Sequence, residues 1–475
     1  VSALVVLHEP KYLLGLCHSE ERSDIQNSGK TMSKATLLRL SVLTLLLLGC
    51  SRFRAGGKNT STPSPAAGTP FPTTASAAPS PTTPSDAAPS PTPETQPITL
   101  VLWTSEDYAP TSETAGGVQL LEQIQAFQQT HDVQIEVILK KRSGSGGLLD
   151  FLSTASKAAP SVLPDLITLS NADLYRAAQA GLVQPLDAII SPALLADQFN
   201  FARRLTQVNG ATLGVLYQAD LTHLVYDASV VKEAPVTWQE LYSTTVPLVF
   251  SPAPPTDGLN DALLVQYLAL GGRLTDAAGK PILDADPLTQ ALTLFQQGRQ
   301  ERVIPRTVLD LTDATAAWAE FRIGEAGMAL VPASLYLAER PGLSNVGFGP
   351  VPLPEPGFVA VGRGWALALV TQDPTRQTLA VALIEYLLST ENHAAWSQAA
   401  GRLPTRQTAL EAWDSTDAYV PFIRDLLTQA QPAPNPDLVA VLAAPLTDAL
   451  ADVLAGRATP EEAAQEAVQA VGGAP

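Results

Sequence analysis

At Ile98 a tract that cannot fold gives way to one that can. Ile98, Thr99, Leu100, Val101, Leu102 and Trp103 form an apolar run that stops at the polar Thr104, Ser105, Glu106 and Asp107, as a buried strand entering a loop does. Leu120, Leu121, Ile124 and Phe127 follow at helical spacing, and Val133, Ile135, Val137 and Leu139 alternate strictly. The order is strand, helix, strand. It repeats with a helix-like stretch over 148–158, a short apolar run from Pro164 to Leu169, and a helix from Asn171 to Ala180 stopped by Gly181. Such alternation predicts an α/β fold with a mainly parallel sheet and helices on both faces. Ligands of these sheets sit beyond the carboxyl ends of the strands, which singles out Trp103 to Tyr108, and Ser170 with Asn171.

The segment from Ser51 to Pro97 is Pro, Ser, Thr and Ala with almost no large apolar residue, a composition that cannot offset the entropy of folding. It reads as a tether, roughly 150 Å long if fully polyproline-like and roughly 40 Å as a flexible coil. Ahead of it, Met32 is a plausible start, Lys34 and Arg39 supply a short basic region, and Leu40 to Leu48 supply the apolar core of a signal peptide ending in Gly49 and Cys50. That core is too short to span a bilayer of roughly 30 Å. Leu47-Leu48-Gly49-Cys50 resembles the bacterial lipoprotein signal, in which the cysteine takes a lipid and becomes the new N-terminus. Residues 1–31 are then an upstream extension, 32–49 the signal, and 50–97 the anchor and linker. The chain has two cysteines, Cys17 and Cys50, so a processed, lipidated form contains no disulfide and depends on a large core. A net charge of −17 argues against a nucleic-acid partner or an anionic membrane surface, and names no ligand.

Further along, Gly214 to Asp220 and Leu224 to Asp227 precede Thr237 and Glu240, spaced as a capping box that opens a helix. Trp318, Phe321, Gly324, Gly327 and Met328 lead into a strand-like run over 329–331. Pro352-Leu353-Pro354, then Gly362, Arg363, Gly364 and Trp365, open another apolar run to Val370. A helix with Leu383, Ile384 and Leu387 precedes Gly401-Arg402-Leu403-Pro404, and two helices end the chain: Leu446 to Leu454, and one capped by Thr459 with Pro460 and Glu462.

These segments, in this order over residues 98–475, resemble the extracellular solute-binding proteins of ABC importers, in the family that includes maltodextrin- and other sugar-binding proteins. The resemblance rests on the Trp103 strand, the Pro164-Asp165 strand, Ala180-Gly181-Leu182 with Pro185-Leu186-Asp187, Tyr226-Asp227, Thr237-Trp238-Glu240-Leu241, Phe321-Gly324-Met328, Pro352-Leu353-Pro354 and Gly401-Arg402-Pro404. It implies a two-lobed, periplasmic-binding-protein-like fold, each lobe a mainly parallel sheet flanked by helices, joined by a hinge. The chain crossings are expected near 220–227, 347–354 and 388–392, giving an N-lobe of 98–222 with 352–390 and a C-lobe of 226–348 with 391–475. The implied protein is a lipid-anchored monomer outside the cytoplasm that captures a small polar solute, a sugar in this family, by hinge closure and hands it to the permease subunits.

The candidate solute-binding residues are Trp103, Ser105, Glu106, Ser170, Asn171, Tyr217, Asp220, Tyr336 and Trp365. Trp103 serves either the cleft or the lobe core; Ser170 and Asn171 either touch solute or cap the next helix. Tyr336 is the one aromatic residue near the Phe321-Gly324-Met328 segment in a position to stack on a sugar ring, and Trp365 follows glycines that let backbone approach closely. Catalytic and metal-ligating residues are expected to be absent, as is any cofactor. His131, His223 and His393 make no metal motif, and Ser143 to Gly147 contains neither a nucleophile elbow nor a phosphate loop. Asp284 and Asp286 either hold a cation or open the next helix. A surface hydrolase and a sensory or adhesion lipoprotein on the same fold are the competing readings, since fold does not fix function.

Overall fold

The computed structural model describes residues 97–473 apart from Ser112. The expectations for the signal, Cys50 and the tether fall outside the described residues. Twelve strands follow in chain order: β1 Ile98–Thr104, β2 Val133–Leu139, β3 Leu166–Ser170, β4 Gln207–Val208, β5 Ala211–Thr212, β6 Val215–Asp220, β7 Thr222–Asp227, β8 Leu248–Val249, β9 Met328–Pro332, β10 Val346–Gly349, β11 Val361–Leu369 and β12 Gln431–Pro432.

The apolar run at Ile98 becomes β1, an inner strand flanked by β3 and β2 in a six-stranded sheet ordered β12-β11-β3-β1-β2, with β6 also paired to β11. β1 runs parallel to β2 and to β3, while β11 runs antiparallel to β3 and β6. The amphipathic helix Ala115–His131 buries Leu120, Ile124 and Phe127, the residues that set its period. Its Thr114 cap accepts a hydrogen bond from the Gly117 N–H. Asp165, just before β3, accepts hydrogen bonds from the Val101 N–H at 2.7 Å and from Arg376 Nε at 2.7 Å, pinning β3 and the helix Pro374–Leu387 to β1.

β7, β8, β9 and β10 form a second sheet in the order β10-β7-β9-β8. The two-sheet α/β architecture agrees with the expected fold, but the sense of this second sheet differs. Only β8 and β9 pair in parallel; β7 is antiparallel to both of its neighbours. The cause is connectivity, since β7 is the direct continuation of β6 through Leu221 and enters without a crossover helix of its own.

The chain thus passes from the first sheet to the second at Leu221 and returns between Gly349 and Val361. The third passage, expected near 388–392, comes later. His393, in the helix Thr390–Ala399, bonds the Tyr217 carbonyl on β6 through Nε2 at 2.7 Å, and the Asn392 carbonyl accepts from Gln123 of the helix Ala115–His131. β12 still pairs with β11 at Val361 and Gly362. The helix Tyr419–Gln429 already lies on the second sheet, where Tyr419 and Phe422 pack on Phe348 of β10 and Asp417 pairs with Arg340 at 2.6 Å. The helix Pro436–Ala455 packs on the helices Ala285–Gln300 and Pro460–Gly472. That helix starts ten residues before the expected Leu446 and runs through Pro445. By length and composition it is apolar enough to cross a membrane; here Leu442, Leu446, Leu450 and Val453 are buried against its neighbours. Both capping boxes, Thr237 with Glu240 and Thr459 with Glu462, are formed.

Candidate functional site

β1, β3 and β6 end along one edge of the first sheet, and β11 begins there. Its antiparallel register sets Arg363 opposite Asp220, and Trp365 opposite both Ser170 and Gln218. Close approach demands glycine at position 364, where a Cβ would lie 1.9 Å from the Gln218 carbonyl oxygen. The freed Gly364 N–H donates to Asn171 Oδ1 at 3.1 Å. Ser170 caps the helix Asn171–Gln179 by accepting the Asp173 N–H at 3.0 Å. Of the two roles open to Ser170, capping is the one its hydroxyl performs.

An aromatic group lies beside this edge. Trp365 is buried, 5.3 Å from the Tyr108 ring between centroids, and the Arg142 guanidinium lies over it at 4.8 Å. Arg142 also pairs with Asp107 at 3.2 Å. Tyr108 donates through its hydroxyl to Gln218 Oε1. Tyr217 stacks on Trp396 at 4.1 Å. Burial pushes both phenols upward, so each stays a neutral hydroxyl. Trp103 is buried, with the Lys140 ammonium 5.0 Å from its ring centre. Trp103 Nε1, Ser105 Oγ and Tyr217 Oη are buried without a hydrogen-bond partner among the described residues, whereas Glu106 stands exposed.

At the passage between sheets, half-buried Asp220 accepts the Leu221 N–H at 2.9 Å, the Ser334 N–H at 3.2 Å and the Ser334 hydroxyl at 2.5 Å. Burial raises its carboxyl, with the Ser334 hydrogen bonds opposing. Beside it Arg363 makes a two-pronged pair with Asp261 of the helix Asp261–Ala269, which also accepts the Thr222 hydroxyl at 2.6 Å. Tyr336 is not at this edge with an open face. Its ring is 2% exposed and covered by His223, Phe348 and Tyr419, with Arg340 bonded to its hydroxyl. It fills a hydrophobic core where a stacking platform was expected.

A cavity of about 530 Å³ opens between residues on the first-sheet side, including Asn171, Tyr175, Gln207 and Gln431, and residues on the second-sheet side, including Leu268 and Arg273. Of the predicted residues only Asn171 reaches it. Asp284 is taken by Arg273 at 2.7 Å and opens the helix Ala285–Gln300, and no cluster of potential metal ligands occurs among the described residues. Sequence reasoning passed over Arg142 and Asp261. Arg142 follows the end of β2, so the strand-end rule applied there finds it; Asp261 carries no local signal, its partner being 102 residues away.

A profile of the bacterial extracellular solute-binding proteins matches residues 122–420. The chain belongs to that family. Solved structures share the two-lobed fold of this solute-binding protein. The cyclic alpha-maltosyl-1,6-maltose binding protein of Arthrobacter globiformis is 19% identical, with a TM-score of 0.64 over 79% of this chain and 98% of its own. Maltose-bound MalE3 of T. maritima is 21% identical, TM-score 0.62, over 79% and 99%. The maltotriose-bound protein of Thermus thermophilus is 20% identical, TM-score 0.60, over 78% and 98%. No curated sequence relative matches. At these identities the structural likeness speaks to fold alone, and the family assignment to extracellular solute binding.

Proposed function

We propose that this solute-binding protein captures a small carbohydrate between its lobes, delivers it by hinge closure to the transmembrane subunits of an ABC importer, and is held at the cell membrane by lipid on Cys50. The observation that carries the reading is the chemistry gathered along one sheet edge. Glu106, Asn171, Asp220 and Arg363 supply carboxylate, amide and guanidinium partners for hydroxyl groups, with the Trp365 indole among them. Polar groups that fix orientation beside an apolar ring are what a sugar site needs. Structural neighbours that hold maltose and maltotriose support the ligand class.

In this reading the lobes are the two sheets with their helices, and the hinge is the three passages at Leu221, between Gly349 and Val361, and between Trp413, bonded to Ser397, and Asp417, paired with Arg340. Trp103, Ser105 and Tyr217 act from beneath the edge, as buried donors and packing surfaces. The chain works as a monomer, and no catalytic step is assigned to it; ATP hydrolysis belongs to partner subunits. A thermal-shift screen against sugars, polyols, amino acids, polyamines and oxyanions tests the proposal. A sugar at a hundred times its dissociation constant adds about 2.7 kcal/mol of stability and is recovered unchanged. Stabilisation by another class alone rejects the carbohydrate, no stabilisation favours a sensory or adhesive role, and consumption of a compound favours an enzyme.

A further inference from the structure

Three polar contacts carry donors from the first-sheet side of the molecule to carboxylates on the second. Tyr175 and Arg176, consecutive on the helix Asn171–Gln179, reach Asp437 and Asp257: the Tyr175 hydroxyl donates to Asp437 Oδ2 at 2.7 Å, and Arg176 Nη2 to Asp257 Oδ1 at 2.6 Å. Arg363 on β11 reaches Asp261, with its Nη1 donating to Oδ2 at 2.7 Å. In these three the donor comes from the first lobe and the carboxylate from the second; beside Leu221 the direction reverses, with Ser334 of the second lobe donating to Asp220.

Both halves of this arrangement are braced. The donor elements are joined by the Gly364 N–H to Asn171 Oδ1 bond, and Arg176 is oriented by Asp173 at 3.1 Å. Asp257 and Asp261 flank Asn260, whose side chain accepts the Leu263 N–H at 3.1 Å and donates to the Ser251 carbonyl at 2.8 Å. Tyr175 and Asn171 also wall the inter-lobe cavity, so parting these contacts widens it.

The contacts differ in exposure. The Arg363 and Asp261 side chains are 22% and 9% exposed, and Thr222 adds a third bond beside the Leu221 passage. Arg176 and Asp257 are 39% and 32% exposed. Salt screens exposed pairs far more than buried ones, so the two sets respond differently to ionic strength.

We propose that Tyr175 with Asp437 and Arg176 with Asp257 form a salt-sensitive latch that holds the lobes together independently of solute, while Arg363, Asp261 and Thr222 form a fixed pivot. Releasing an exposed pair of this kind changes the ratio of latched to parted molecules by about fivefold at most. The apparent solute affinity follows that ratio, because only the competent population binds tightly.

The test uses no solute, so it stands or falls separately from the carbohydrate reading. Spin labels are placed at Val162→Cys and Ile323→Cys, which are 56% and 71% exposed on opposite lobes, in the full chain with Cys17→Ser and Cys50→Ser. With the latch intact, sodium chloride shifts the label-to-label distance distribution towards longer separations. Asp257→Asn with Asp437→Asn, and separately Arg176→Met, shift it at low salt and abolish the response to further salt. A melting transition as cooperative as that of the parent establishes that each variant is folded. Distances and salt response equal to the parent in both folded variants overturn the latch.

Discussion

Asn171 Oδ1 accepts the Gly364 backbone N–H at 3.1 Å, so the helix start that follows β3 is fastened to the strand that begins beside it. The bond exists because residue 364 has no side chain, an added Cβ falling 1.9 Å from the Gln218 carbonyl oxygen and 3.0 Å from the Leu216 side chain. Backbone blocks one side, so the strand itself must move. Gly364→Ala is expected to lower unfolding free energy by about 3 kcal/mol or more, read from urea denaturation. A loss below about 1 kcal/mol would mean that β11 slides freely against β6.

His223 and His393 give the protein a defined acid limit. The His223 ring donates from Nδ1 to the Leu224 carbonyl at 2.9 Å and accepts the Tyr419 hydroxyl at Nε2, 3.2 Å away; His393 Nε2 donates to the Tyr217 carbonyl at 2.7 Å. Burial pushes both rings down from 6.5 to about 4, with Arg340 adding to the effect at His223 and Arg406 at His393. In the unfolded chain each ring gains its proton near 6.5, so their stabilisation is complete above that pH and is lost as pH falls towards 4. The loss is on the order of 3 kcal/mol for each ring. Unfolding free energy measured across this window should fall steeply, and His393→Gln should flatten the slope. Equal slopes in variant and parent would reject a neutral buried imidazole at 393.

The parts of the fold set by local chemistry were readable. Thr237 with Glu240 and Thr459 with Glu462 satisfy helix N-termini within four residues, and the period of Leu120, Ile124 and Phe127 directly marks a buried face. Features decided by distant partners were not. Tyr336 has the composition of a stacking platform, yet Tyr419 and Phe348 cover its ring. The antiparallel sense of β7 depends on how β6 hands over at Leu221, which no hydrophobic period encodes. The strand-end rule singled out Glu106 and Asn171, whereas Asp220 was named for its nearness to the expected first passage and Trp365 for the glycines before it; none of these signals points to Asp261, a residue inside a helix whose role comes from Arg363 across the junction.

Membrane attachment through Cys50 makes a separate prediction. Cells expressing the full chain and fed a labelled fatty-acid precursor should label the protein, and Cys50→Ala should abolish the label and release the protein from the membrane fraction. Label retained by the Cys50→Ala variant would remove the lipoprotein reading and leave solute binding untouched.

Trp365 is the residue whose part in solute recognition is most sharply testable. Its ring is 6% exposed, bounded by Tyr108 at 5.3 Å and by the Arg142 guanidinium at 4.8 Å. A sugar ring that stacks there must displace Arg142, whose side chain is 59% exposed and paired with Asp107, itself 38% exposed. The contact to be broken is worth about 0.5–1 kcal/mol at an exposed site. Arg142→Ala should therefore tighten solute binding by about two- to fivefold, measured by calorimetry with the sugar found in the thermal screen. Weaker binding would instead make Arg142 itself a solute partner. Trp365→Phe keeps most of the packing, whereas Trp365→Ala risks the roughly 3–5 kcal/mol that emptying an aromatic core site costs. The Phe variant should lose the solute-dependent change in tryptophan fluorescence and bind more weakly while melting cooperatively. If affinity and fluorescence response both match the parent, Trp365 belongs to the core and the solute rests elsewhere along the edge.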